Sequence, residues 1–253
     1  MNTVQIRNLI LGEGKPKICV PITGHTKEEI LQRTEELKAS NPDLAEWRAD
    51  WYQDVQKEDS LFDILKLLRT ELKDMPLLVT FRTKQEGGEQ EISAEAYQKF
   101  LERVLASGQA DLIDIELFMG DTLFEHISAE AHQVGVRVVG SSHDFQKTPP
   151  EQEIITRLCR MQELGADLLK LAAMPADTGD VLTLLHATWE MKKTYAKQPV
   201  ITMSMGGTGV ISRLSGEIFG SALTFGSAGQ ASAPGQIGVE ELKTVLEILH
   251  QSV

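Results

Sequence analysis

Two cysteines in 253 residues are too few for a disulfide framework. Cys19 falls in a strand-like run and Cys159 in a helical one, so both are expected as core thiols. No apolar run approaches the length of a membrane span, and the N-terminus lacks the charged-then-apolar order of a signal peptide. A cytoplasmic protein is expected. Basic excess is missing as well: 25 Lys and Arg stand against 37 Asp and Glu, a formal net charge of −12. That balance argues against a general affinity for nucleic acid or anionic membrane, and an anionic ligand would need a local basic pocket. No linker, low-complexity tract or break in composition divides the chain. Its length suits one large α/β barrel as a single domain, residues 1–253.

Several functional motifs are missing too. A doubly wound nucleotide-binding sheet would carry a Gly-rich turn between an early strand and its helix. Gly12-Glu-Gly14 precedes the first long strand and leads to no helix, so it fails that context. No Gly-x-Ser-x-Gly elbow supports a serine hydrolase. The six histidines are scattered, with no paired spacing to carboxylates or cysteines, which speaks against a metal centre.

What is present is alternation. After a small hairpin around Arg7-Asn8, strand-like and helix-like runs follow one another to the end. Strands are expected at 17–23, 44–48, 77–81, 111–116, 136–142, 167–172, 199–204 and 222–225. Helices are expected at 26–40, about 60–72, 93–106, 121–133, from Pro149-Pro150 to Gly165, 177–196, 209–219 and 239–251. Eight strands with eight helices is the count of a (β/α)8 TIM barrel with an N-terminal β-hairpin.

A barrel holds its active site at the carboxyl ends of its strands. Those ends read Glu46 and Arg48, Thr80 and Arg82, Asp114 and Glu116, Ser141 and His143, then Lys170, each pair on one face because strand side chains alternate. Any one of these has an ordinary explanation. Lys170 could reach solvent along its stem, His143 could be a hydrogen-bonded core histidine, and Asp114 reads best as part of a structural ion-pair network. Arg82 is balanced between such a network and anion binding. Five successive strands with charged or titratable ends outweigh those separate explanations.

Lys170 and His143 fall on neighbouring strands, which lie about 4.8 Å apart. Burial and a nearby cation both favour the neutral amine, the nucleophile for a carbonyl. The chemistry indicated is Schiff-base formation at Lys170, with His143 as the proton-transfer group and Glu86 orienting the imidazole. Gly206-Gly-Thr-Gly209 could bind phosphate at a helix N-terminus, which would fit a class I sugar-phosphate aldolase, or could be a plain tight turn. The long Gly/Ser/Ala-rich loop from Gly226 to Gln236 is expected to close over a ligand, Ser232 and Gln236 offering hydrogen bonds. Arg213 could grip a carboxylate. A non-catalytic carboxylate-binding barrel would need the same pocket without turnover.

Glu46-Trp-Arg48, Thr80-Phe-Arg82, Glu86-Gly-Gly-Glu-Gln90, Ser142-His-Asp-Phe145, Lys170 with Met174-Pro175, Ser212-Arg213, Phe219-Gly-Ser221 and Ala231-Ser-Ala-Pro-Gly-Gln236 occur in this order. In this the sequence resembles type I 3-dehydroquinate dehydratases of the shikimate pathway over nearly its whole length. The resemblance implies a (β/α)8 barrel, usually dimeric, without metal or organic cofactor. It implies an imine between Lys170 and the ring ketone of 3-dehydroquinate, proton transfer by His143, and Glu86 positioning and tuning His143. Arg213 matches the carboxylate-binding position, and Glu46, Arg48, Arg82, Ser232 and Gln236 match substrate-contacting ones. Pro21 stands where some members have serine, which puts a side-chain hydrogen bond there in question. Leu169 stands where proline is frequent.

Overall fold

The computed structural model describes residues 2–229 and 235–253. The N-terminal hairpin forms as expected, with β1 (Val4–Ile6) antiparallel to β2 (Leu9–Leu11). Arg7 takes a left-handed φ of 52° in its turn.

Eight parallel strands follow. They are β3 (Lys17–Ile22), β4 (Leu44–Arg48), β5 (Leu77–Thr80), β6 (Leu112–Glu116), β7 (Arg137–Asp144), β8 (Leu168–Ala173), β9 (Val200–Ser204) and β10 (Leu223–Ser227). They pair in the order β10-β3-β4-β5-β6-β7-β8-β9. A bridge from Val200 to Ser221 closes the ring, and the Ala222 N–H donates to the Val200 carbonyl at 2.8 Å. That closure decides for the barrel over the open doubly wound sheet. A short β11 (Ile237–Gly238) pairs parallel with β10.

The outer layer consists of α1 (Lys27–Ser40), α2 (Glu58–Leu72), α3 (Ala94–Ser107), α4 (Asp121–Gln133), α5 (Glu151–Glu163), α6 (Thr178–Glu190), α7 (Val210–Leu214), α8 (Gly216–Phe219) and α9 (Val239–His250). Thr26 caps α1 by accepting from the Glu29 N–H, as its position before the apolar stripe foretold. Three expectations need correcting. Pro150 is the residue before α5 rather than its first helical residue. α6 does not run unbroken to 196 but continues as a π-helical turn, Met191–Tyr195. The single helix expected over 209–219 is two. The Ser215 hydroxyl donates back to the Ile211 carbonyl, and a Cβ at Gly216 would lie 2.7 Å from the Ser221 carbonyl oxygen. The chain therefore turns at Ser215 to bring Gly216 against the barrel wall.

Strand alternation sorts the apolar residues into two cores. Ile18, Val20, Ile22, Val79, Ile113, Val138, Leu169 and Leu171 point outward and pack beneath the helices. Cys19, Leu44, Leu78, Leu112, Val139, Leu168, Ile201 and Leu223 point inward, joined by Val4, Ile6 and Leu11 of the hairpin. Each such side chain, fully buried, contributes roughly 1.5–3 kcal/mol. Cys19 is a buried thiol, as expected, whereas Cys159 is only partly buried. Above the apolar inner layer, the same alternation turns polar.

Candidate active site

The inward residues climb each strand in steps of two. Leu44 is followed by Glu46 and Arg48, Leu78 by Thr80 and Arg82, Leu112 by Asp114 and Glu116, Val139 by Ser141 and His143, and Leu168 by Lys170 and Ala172. The upper members Glu46, Arg48, Arg82, His143, Lys170 and Ala172 meet in a cavity of about 200 Å³ at the carboxyl ends of the strands. Lys170, His143, Glu86, Glu46, Arg48, Arg82, Arg213 and Gln236 all line it. Ser232 lies outside the described residues. Met203, Met205, Phe145 and Phe225 also line the cavity and were not picked out as site residues. The two-residue step from Ile201 and Leu223 would have found three of them.

Lys170 is 4% exposed, so its stem does not carry it out to solvent. Its Nζ lies 3.7 Å from Glu46 Oε1 and 3.6 Å from Asp114 Oδ2, and 4.6 Å from the Phe225 ring centre. Two carboxylates thus stand beside the amine, where the sequence pointed only to burial and a nearby cation. The register between β7 and β8 adds a height difference. Ser141, not His143, pairs with Lys170, and His143 sits opposite Ala172, one inward step higher.

The Oε2 of Glu86 accepts the His143 backbone N–H at 2.9 Å and lies 2.9 Å from Nδ1. An oxygen already accepting one N–H is satisfied by a second, which makes Nδ1 the donor and leaves the Nε2 lone pair available. Burial, then the charges of Arg82, Lys170 and Arg48, hold the imidazole well below its usual pKa, so it is neutral at neutral pH. Burial pushes the Glu86 carboxyl up to about 8, with Arg82 opposing and Glu116 and Asp114 adding to the rise.

Arg82 resolves toward the network. Its Nη1 meets Glu116 at 2.8 Å, Ser141 Oγ at 3.0 Å and Glu86 at 3.4 Å, and its Nη2 meets Asp114 at 2.8 Å. Burial opposes that charge, but Asp114, Glu116 and Glu86 outweigh it and hold the guanidinium well above its usual range. Asp114 is in the ion-pair network, as read from the sequence. Burial works to raise its carboxyl, but Arg82 and then Lys170 outweigh burial and keep it low. Arg48 forms a two-point pair with Asp50, which the sequence reading overlooked, through Nε at 2.8 Å and Nη2 at 2.7 Å. Arg213 is buried, with Nη1 3.7 Å from Met203 Sδ, and burial lowers its pKa to about 10.

The Gly206–Gly209 turn reads as structural. A Cβ at Gly209 would fall 2.2 Å from the Ser204 carbonyl oxygen, and the helix behind the turn has only five residues. Gly235, at φ +75°, packs against Gly206 so closely that a Cβ would lie 2.4 Å from its carbonyl oxygen. That contact brings Gln236 to the cavity. Among the described residues, Glu102, His126 and Glu130 form a His/Glu cluster whose ligand atoms lie within 4.8 Å of one another. His126 and Glu130 are four apart on α4, a pairing the sequence reading passed over. None of the three lines the cavity.

Fold and site together place the chain among the (β/α)8-barrel enzymes. The match to known proteins is closer than that. A family model described as type I 3-dehydroquinase matches residues 18–253. The chain is 53% identical over 250 residues to the 3-dehydroquinate dehydratase of Clostridioides difficile (strain 630), covering 99% of this chain and 98% of that protein. It is 50% identical over 252 residues to that of Bacillus subtilis (strain 168), covering 100% and 99%. The crystal structure of the type I enzyme from Clostridium difficile with covalently modified comenic acid superposes with a TM-score of 0.97 at 52% identity, covering 100% and 99%. The chain belongs to the type I 3-dehydroquinase family.

Proposed function

We propose that this protein dehydrates 3-dehydroquinate to 3-dehydroshikimate, in the shikimate pathway, through an imine on Lys170. The observation that carries this reading is a 4%-exposed lysine sharing a small cavity with a neutral, glutamate-bound imidazole. The amine adds to the ring ketone and water leaves, giving an imine whose protonated form withdraws electrons from the adjacent carbon. His143 Nε2 takes the proton from that carbon. The resulting imidazolium returns it to the departing β-hydroxyl, which leaves as water, and a second water then hydrolyses the imine. Glu46 and Asp114, within 3.7 Å of Nζ, stabilise the cationic imine as it forms. Glu86 holds the imidazole in place through its Oε2, which meets both the backbone N–H and Nδ1 of His143.

In this reading Arg213 binds the substrate carboxylate, and Arg48, Arg82, Glu46, Ser232 and Gln236 contact the rest of the molecule. No metal or organic cofactor takes part. The chain works as a single domain, residues 1–253, in a cytoplasmic homodimer. No helix among the described residues is long and apolar enough to cross a membrane.

The test is borohydride reduction with 3-dehydroquinate present, followed by peptide mass mapping. An adduct on Lys170 is expected. Turnover without any covalent mass shift would sink the imine, and binding of 3-dehydroquinate without product absorbance would point to a non-catalytic barrel.

A further inference from the structure

Asp50 occupies the 3-10 turn Ala49–Trp51 that follows β4, and its side chain is fully buried. A buried carboxylate is tolerated only where its oxygens are met by donors. Here both are met twice. Oδ1 accepts from Arg48 Nε at 2.8 Å and from the Arg82 backbone N–H at 3.2 Å. Oδ2 accepts from Arg48 Nη2 at 2.7 Å and from the Glu89 backbone N–H at 3.1 Å. The Asp50 carbonyl accepts from Gln90 Nε2 at 2.7 Å.

These partners belong to two parts of the site. Arg48 lines the cavity. Arg82 and Glu89 bracket the loop that carries Glu86 to His143. The loop closes tightly at this point, since a Cβ on Gly88 would lie 1.9 Å from the Arg82 carbonyl oxygen and 3.0 Å from Asp50 Oδ2. Its start is held from the other side as well, where Glu116 accepts from the Thr83 N–H at 2.8 Å and from its hydroxyl at 2.7 Å. Among the described residues, Asp50 is therefore the one side chain that grips Arg48 and both ends of the Glu86 loop together. A generic core carboxylate would need only one of those attachments.

We propose that Asp50 is a positioning residue for the reaction. Its carboxylate fixes Arg48 against the cavity and, through the Arg82 and Glu89 amides, fixes the loop that holds Glu86 to His143. It touches no substrate. One arm acts on binding through Arg48, the other on proton transfer through Glu86 and His143. This rests on the dehydratase reading of the site.

The experiment is steady-state kinetics with 3-dehydroquinate on the wild type, Asp50→Asn, Arg48→Met and the double variant, with far-UV circular dichroism as the fold control. Asp50→Asn keeps the shape but loses one acceptor. KM should rise about tenfold, the scale of one hydrogen bond to a charged group, and kcat should fall roughly 10- to 100-fold, the scale of a slight misplacement. In the Arg48→Met background the same change should leave KM where Arg48→Met put it, yet still lower kcat. Unchanged constants for Asp50→Asn would overturn the proposal, and so would a KM loss that adds in full to that of Arg48→Met. Should Asp50→Asn fail to fold, Arg48→Met and Arg48→Met/Asp50→Asn decide. The double variant leaves no member of the buried pair charged, so a lower kcat in it supports the proposal and equal kcat values overturn it. A wild type that bound 3-dehydroquinate without dehydrating it would instead overturn the reading of function on which the proposal stands.

Discussion

On the cavity wall built by β4 to β8, each titratable side chain has an ionisable or hydrogen-bonding partner close by. Arg48 is on Asp50, Arg82 on Asp114, Glu116 and Glu86, His143 on Glu86, and Lys170 lies between Glu46 and Asp114. The wall built by β9 and β10 presents Met203, Met205 and the Phe225 ring, with Arg213 beside Met203. The contrast divides the labour. Buried ion pairs add little net stability, because desolvation offsets their attraction. What they supply is fixed orientation, with donors and charges aimed before substrate arrives. The apolar wall supplies shape and excludes water, which strengthens every interaction opposite it. Substitutions on the polar wall should therefore change the chemical step, and those on the apolar wall should change mainly its setting.

The largest effect should come from His143→Ala. The amine that forms the imine is untouched, so borohydride still traps substrate on Lys170. Loss of the proton-transfer group should cost about 10³-fold in kcat. Rapid-quench trapping alongside product absorbance separates the two steps. If this variant turned over normally, the imidazole would not be the proton carrier and the polar wall would lose its assigned role.

Phe225→Leu probes the other wall and should do less. It removes a ring 4.6 Å from Lys170 Nζ while keeping an apolar side chain. The loss of a cation–π contact and of some packing should lower kcat/KM roughly tenfold. Both the trapped adduct and the ratio of imine formation to dehydration should stay as in the wild type. A selective loss of dehydration in Phe225→Leu would break the division between the walls.

The polar wall was largely legible in the sequence, and the apolar wall was not. Charged residues stand out on strands that are otherwise apolar, so Glu46, Arg48, Arg82, Asp114, Glu116, His143 and Lys170 could be assigned to one end of the barrel by alternation alone. Met203, Met205 and Phe225 look like any other core residues until the barrel's height at each strand is known. Height is a matter of register, which period-two patterning leaves open. For the same reason the sequence could put His143 on the strand beside Lys170 but not show that it stands one inward step higher. Asp50 was hidden differently. It lies past the end of its strand, where no periodicity applies, and only the folded loop shows that Arg82 and Glu89 return to it. Arg213 and Gln236 came from resemblance and from loop composition. The break at Ser215 escaped because a serine in a helical run is ordinary until its neighbour Gly216 must meet the barrel wall.

The smallest effect concerns stability and shows how the polar wall responds to pH. Glu86 has its carboxyl raised from 4.5 to about 8 by burial, so it holds its proton more readily in the folded chain than in the unfolded one. Its contribution is intact below 4.5 and falls away as pH rises through about 8. His143, lowered well below 6.5, works on the other side: the unfolded imidazole charges as pH drops below 6.5 while the folded one stays neutral, so that loss is acidic. Glu86→Gln removes the alkaline loss and keeps a carbonyl oxygen to accept both N–H groups of His143. The unfolding midpoint of the variant minus that of the wild type should therefore be larger at pH 9 than at pH 5. The gap should be a few degrees, since each kcal/mol moves the midpoint of a domain this size by about 2–4 °C. Scanning calorimetry at the two pH values measures it. An equal or reversed difference would mean that Glu86 is ionised throughout, with Arg82 and the His143 N–H groups outweighing its burial. The polar wall would then hold one more fixed negative charge, and the neutral imidazole would have an ionised partner from the start of the reaction.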